Sequence, residues 1–584
     1  MKKIEITPYA SFLICKSERG KARSKRSATN EKGIVLRYDR RGRIDMAKPQ
    51  PFFQTKKLAY GVRVFKQILQ LALPMLLLGS CHQPKETTAQ QQTLRINFQD
   101  GDLPSTHPHI GIDYRIRSLQ SALFEGLTRM DPEGHAQPAA AENIHISEDQ
   151  TRYTFFLRSS LWSNSEPLTA YHFADTWKQA IAKGSSCVRP DLFYIIKNAE
   201  KIKKGILPLS DAGIRVVDSK TLEIELEHPA PYFLELISNP MFSPLFDSAE
   251  EPIVFNGPFL IDTWKHDQTI SLKKNPFYWD SQSVSLDRIE IMVVTDAATA
   301  FQLFEKGELD WIGSPFSCLP TDMIPSCAKT GMLKHKEVAR IYWLYCNNQI
   351  LPFNNPSIRK ALSYAIDRKD IVDHVLLGQT AATAPLPIAL SLLGEHSLPG
   401  HGDTGLARHF FAQGLDELNL TPETFPKITL SHSHITGQRQ LAEIIQSNWQ
   451  TALGITVVLE GFEWNHFFSN LSHGNFEVGG CIKSALFRDP MYHLELLQDK
   501  SHSYNVGRWE DPVYKTLLEQ ARETTDLAVR TTLLRNAEQI LLEQMPVIPV
   551  YSETYLYMIR PHVEKVVIHD LGHVDFKWVK TTKL

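Results

Sequence analysis

Four groups of side chains in this sequence have the types and spacing to do chemistry. His107-Pro-His109 and His432-Ser-His434 each set two imidazoles two positions apart, enough to offer a pair of ligands to a metal ion. Neither pair has a carboxylate–cysteine set nearby, so both read as packing or solvated histidines. Gly184-Ser-Ser and Gly313-Ser place serines beside glycine, but no GxSxG elbow, HExxH or GxxxxGK[ST] phrase occurs. Acidic residues are spread throughout, and no carboxylate pair is singled out. The aromatic residues carry more information. Ile341-Tyr-Trp-Leu-Tyr345 packs three rings into five positions, and Phe462-Glu-Trp464 lies close to Phe467-Phe468. Most such rings fill cores, yet aromatic-lined clefts also bury small ligands with few polar groups. Binding without catalysis, cofactor or metal is the expectation.

The N-terminal region gives that expectation a location. Lys56, Lys57, Arg63 and Lys66 precede Ile68 to Leu78, which is apolar apart from Gln70. Leu78-Gly79-Ser80 then leads into Cys81. The order positive, apolar, small is that of a secretory signal, and the apolar run has about half the ~20 residues needed to span a bilayer. The ending resembles the lipobox of bacterial lipoproteins, in which the cysteine is acylated and becomes the first mature residue. Residues 1–80 are therefore expected to be leader and signal, Cys81 the lipid site, and residues 81–92 a polar tether. The first 45 residues hold 13 Lys/Arg. They read as sequence upstream of a true start at Met46, in preference to the alternative of a nucleic-acid-binding tail.

Beyond residue 80 the chain holds 45 Lys/Arg against 60 Asp/Glu, a net charge near −15. That balance argues against nucleic acid, whose affinity comes from basic neutralisation. It also argues against charge-driven attachment to an anionic membrane. Five cysteines remain after Cys15 and Cys81: Cys187, Cys318, Cys327, Cys346 and Cys481. Export permits disulfides, and the 318–327 spacing would close a short loop, but sequence does not set the pairing.

The elements alternate between strand and helix. Leu94, Ile96 and Phe98 recur with period two, as do Tyr153, Phe155 and Leu157, and Leu222, Ile224 and Leu226. Tyr114 to Leu127 reads as a helix, Thr169 as the N-cap of another, and Asn355-Pro as the opening of a third. Lys427–Ser431, Gly437–Leu453 and Ile455–Leu459 read as strand, helix and strand, with Leu441, Ile444, Ile445 and Leu453 buried. This is a βαβ unit of a parallel sheet. The fold class is α/β with more than one sheet.

Several longer phrases then stand in a recognisable order: SALFEGLTRMDPEGHAQPAAAENIHISEDQTRYTFFLR, LWSNSEPLTAYHFADTWKQA, NGPFLIDTW, KKNPFYWD, FEKGELDWI, YCNNQILPFNNPSIRKALSYAIDRKDI and YNVGRWEDPVYKTLLEQA. From about Leu94 onward the chain resembles the extracytoplasmic solute-binding proteins of the peptide and nickel transport family. The resemblance implies a two-lobed periplasmic-binding-protein fold in three parts, closing by a hinge. Residues 93–114, 240–340 and 554–584 would form domain I, 115–239 an inserted domain II, and 341–553 domain III. It further implies a monomer that captures oligopeptides and delivers them to a membrane permease driven by ATPase subunits, without catalysis. Alternatives on the same fold are a modified or N-blocked peptide, a metal chelate, or a surface lipoprotein without transport.

The resemblance also names site residues. In the family a Phe-Asp-Val phrase precedes Ala-Gly-Trp-Cys-Ala-Asp-Tyr, whose aspartate holds the peptide α-ammonium. Here Phe476-Glu-Val478 precedes Gly480, Cys481, Ile482, Lys483, Ser484, Ala485 and Leu486. Leu486 falls at the aspartate position, Lys483 at the tryptophan, and Gly480 where relatives have an arginine. Trp464 matches a wall tryptophan, and Tyr342, Trp343 and Tyr345 lie in a block that reaches ligand. Glu477 and Asp489 are the acids near enough in sequence to replace the lost aspartate. Lys483 is expected to face the cleft as a carboxylate partner.

Overall fold

The computed structural model describes residues 91–582 apart from 112–113, 247–252, 395–396 and 436, all within one structural unit. The leader, Cys81 and the tether up to residue 90 lie outside the described residues. Three larger sheets organise the rest. In the first, Thr93–Phe98 pairs in parallel with Arg288–Val293, followed by Thr269–Lys274 and Phe259–Lys265. Leu94 lies opposite Ile289 and Ile96 opposite Ile291, so the period-two face of each strand enters one core. In the second, Ala141–Ile146, Arg152–Leu157, Thr221–Glu225 and Ile214–Asp218 run antiparallel. Tyr153, Phe155, Leu222 and Ile224 are buried in the same core as Phe173, Trp177 and Ile181 of helix Ala170–Ile181. Thr169 caps that helix as expected, its N–H donating to His172 Nδ1 at 3.0 Å.

The third sheet carries the site. Its order is Trp311–Gly313, Val547–Ile559, Leu333–Cys346, Val478–Ser484, Ile428–Ser433, Val457–Phe462, with Thr380–Ala381 added to Val547–Ile559. The βαβ unit is present: Ile428–Ser433 and Val457–Phe462 pair in parallel across helix Gln438–Leu453. Glycines 437 and 454 bound that helix at φ +83° and +71°, a region side chains avoid. Its buried stripe differs in part from expectation. Leu441 and Ile445 are buried with Ala442, Trp449 and Ala452, whereas Ile444 and Leu453 are only half-buried at its edge.

Helix Tyr114–Leu123 stops four residues before the expected end. The carbonyls of Gly126 and Leu127 are taken instead by the N–H groups of Ala139, Ala140 and Ala141, which hold this segment extended. All five cysteines in the described residues are free thiols, Cys318 and Cys327 included. The first histidine pair serves packing, whereas His434 of the second is exposed. His109 N–H donates to His107 Nδ1 at 3.0 Å, its Nε2 lies 3.1 Å from Met241 O, and burial pushes its pKa down to about 3.

Two long-range joints tie distant parts of the chain together. The C-terminal residues Val574, Phe576 and Val579 complete the core begun by Leu94, Ile96 and Phe98. There Arg129 makes a two-pronged ion pair with Asp575, at 2.9 and 2.6 Å, and reaches Glu125 at 3.2 Å. Elsewhere, Phe487 stacks on Tyr232 with centroids 4.5 Å apart, and Asn239 Nδ2 donates to Leu486 O at 3.1 Å. One continuous apolar cluster thus runs from the second sheet to the helices after residue 490.

Candidate ligand-binding cleft

Val478–Ser484 pairs antiparallel with Leu333–Cys346, setting Tyr342 opposite Ile482, Trp343 opposite Cys481 and Ile341 opposite Lys483. On its other side it meets Ile428–Ser433 only at Val478 and Gly479. From Gly480 to Ser484 the strand is therefore paired on one side, and its second edge runs along a cavity of about 440 Å3. A row of main-chain donors and acceptors at such an edge is a template for another extended chain.

Eight of the ten residues singled out by sequence line this cavity: Tyr342, Trp464, Gly480, Cys481, Ile482, Lys483, Ser484 and Leu486. Trp343 and Tyr345 do not. Strand alternation sends them to the face opposite Tyr342, into the core, where Trp343 Nε1 donates to Pro385 O at 2.7 Å. Tyr342 stacks on Tyr551 of the neighbouring strand, centroids 5.2 Å apart and 12° from parallel. Gly480 makes room for that ring, since a Cβ there would stand 2.6 Å from it. Trp464 opens helix Trp464–His473, behind the N-cap Glu463, and stacks on Phe468, which also lines the wall. Phe467 of the same cluster points into the core.

The charged lining is one-sided. Arg117, Arg189, Arg340 and Lys483 face a single carboxylate, Glu553. Arg340 holds that carboxylate at 2.6 Å and donates to Ser484 Oγ at 2.9 Å. Burial pushes the Glu553 carboxyl up, and Arg340 partly pulls it back. Arg340 sits where the register between Leu333–Cys346 and Val547–Ile559 breaks, between Glu337 and Ile341. The acids adjacent in sequence are spent elsewhere. Glu477 accepts from Thr429 N–H, and Asp489 is held by Arg530 at 2.8 and 2.9 Å. Sequence reasoning missed Glu553 and the three arginines. Arg340 alone had a local signal, since it lies two positions before Tyr342 on the same strand.

Residues 135–505 match the model of the bacterial extracellular solute-binding proteins, family 5. The chain belongs to that family. As a family 5 member it is a solute-binding protein and not an enzyme. It is 34% identical to the oligopeptide-binding protein OppA of Bacillus subtilis over 516 residues, covering 85% of this chain and 94% of that one. It is 30% identical to the probable deoxycholate-binding periplasmic protein YgiS of Escherichia coli, covering 82% and 92%. The mixed α/β fold of the family 5 protein also matches the solved structure of the murein tripeptide binding protein MppA of Escherichia coli. The TM-score is 0.71 at 24% identity, covering 85% of this chain and 99% of that one.

Proposed function

We propose that this chain captures oligopeptides outside the cytoplasm and delivers them to a membrane permease driven by ATPase subunits. The observation that carries this reading is the one-sided strand Gly480–Ser484 along an aromatic-walled cavity. An extended peptide adds to such an edge through main-chain hydrogen bonds, whatever its side chains. The cavity volume of about 440 Å3 falls within the ~300–1,000 Å3 of ordinary ligand sites. The lining also supports a three-part division into 93–114 with 240–340 and 554–584, then 115–239, then 341–553. Cys318, Thr321 and Ile324 come from the first, Arg117 and Arg189 from the second, and most of the rest from the third. Ligand bridging the parts would hold them closed.

Calorimetry on a set of short peptides, paired with small-angle scattering, tests this. Saturable binding without cleavage, and a smaller radius when bound, are expected. Peptide cleavage, or an unchanged radius at saturation, would overturn it. The same reading makes Cys81 the lipid anchor. Several acyl chains, each methylene contributing about 0.8 kcal/mol on burial, hold a protein firmly to a bilayer. Cys81→Ser should leave unprocessed precursor or released protein in a fractionation, and a variant still acylated and processed would refute the anchor.

A further inference from the structure

We infer that the cavity is built for an anionic ligand and that Lys483 takes one of its carboxylates; this rests on the cavity being the peptide site. The charges on its wall do not balance. Glu553, the single lining carboxylate, is already held by Arg340 at 2.6 Å. Arg189 is compensated by Asp191 at 2.5 Å. Lys483 has no carboxylate within ion-pair reach among the described residues. Its ammonium lies instead 5.3 Å from the ring centroids of both Tyr345 and Tyr504. The guanidinium of Arg189 lies 5.5 Å from the same Tyr504 ring, so one tyrosine carries two cations.

Ring faces attract a cation, but they do not replace a counter-charge once the site is shut off from water. A ligand carboxylate beside Lys483 supplies what the wall lacks. The converse holds for a free ammonium deep in the cavity, which would meet four cationic side chains and no uncommitted acid. His493, which packs edge-on against Trp343 and approaches Lys483 O with its Nε2 at 3.4 Å, brings no negative charge to this corner. The ligand class is therefore a peptide carrying a carboxylate at this corner, with its amine blocked or kept outside. The carboxylate comes from an acidic side chain or from the C-terminus, and the two sources are separable.

The test is calorimetry of the full-length chain with four peptides of one length. The first is N-acetylated with a central glutamate. The second replaces glutamate by glutamine, the third amidates the C-terminus, and the fourth has a free amine and glutamine. The first should bind tightest. Losing the carboxylate that meets Lys483 should weaken binding roughly thirtyfold or more, as truncation of one partner in a buried charge pair does. Loss on glutamine substitution assigns the side chain, and loss on amidation assigns the C-terminus. Lys483→Met should erase the discrimination and Lys483→Arg should keep it, with melting curves confirming that both fold. If the free-amine neutral peptide binds as tightly as the first, or Lys483→Met leaves the preference intact, this inference fails while peptide capture stands. If no peptide binds, peptide capture fails and this inference with it.

Discussion

Replacing Arg129 by leucine is expected to remove about 3–5 kcal/mol of folding stability, the usual cost of breaking a buried ion pair from one side. Asp575 and Arg129 are both buried, and the guanidinium donates to Asp575 at 2.9 and 2.6 Å, to Glu125 at 3.2 Å and to Ser121 O at 2.9 Å. Leucine fills part of the volume and leaves two carboxylates without their cation. Desolvation pushes the Asp575 carboxyl up. The Arg129 charge and its two hydrogen bonds, with His569 Nε2 3.9 Å away, outweigh it and hold the carboxyl far below the ordinary range. A depressed carboxylate contributes stability that is present above its unfolded pKa, about 3.9, and is lost as pH falls toward the folded value. The variant loses that contribution, so its deficit against the wild type should shrink as pH falls from about 4 toward about 2. Denaturant titrations at both pH values check this. A deficit that stays constant with pH would assign the loss to packing instead of charge.

Gly480→Val should abolish or severely weaken ligand binding. A Cβ at residue 480 would stand 2.6 Å from the Tyr342 ring, closer than any real contact allows. Tyr342 cannot give way cheaply, because it is stacked on Tyr551 and both rings are buried. Either the ring swings or the strand edge is displaced, and both movements enter the space a ligand would occupy. Overpacking of this kind costs about 1–3 kcal/mol, or roughly tenfold to hundredfold in affinity if it falls on the bound state. Calorimetry reads the affinity and a melting curve reads the protein. Shortening the ring with Tyr342→Leu in the same chain should recover part of the loss, since contacting residues are not additive. Unchanged affinity in Gly480→Val would mean that this edge does not meet ligand.

How much of this was legible depended on how local the signal was. Leu94, Ile96 and Phe98 declare a strand by alternation alone, and Asn355-Pro declares a helix start by a cap and a missing N–H. The βαβ unit was legible because its three elements are consecutive. The site was not local in this sense. Arg340 meets Ser484 across 144 positions, and no periodicity encodes that register. The aromatic block shows the limit clearly. Alternation says that Tyr342 faces away from Trp343 and Tyr345, but which face meets the cavity depends on the strands beside it. Glu553 stands among alternating tyrosines at 551, 555 and 557, and its acid becomes meaningful only when Arg340 arrives from another strand.

The return of the C-terminus to the first core sets the order of events during synthesis. Leu94, Ile96 and Phe98 are among the earliest described residues to be made, yet Val574, Phe576 and Val579 complete their core. Arg129 waits for Asp575 across 446 positions. At ~5–20 residues per second, that wait is roughly 20–90 s on the ribosome. Throughout it the core around the first strand lacks its last members, and closing so long a loop is slow in any case. That first core is thereby left unfinished for as long as the chain is being made. That interval is the one in which a protein bound for the outside has to remain threadable.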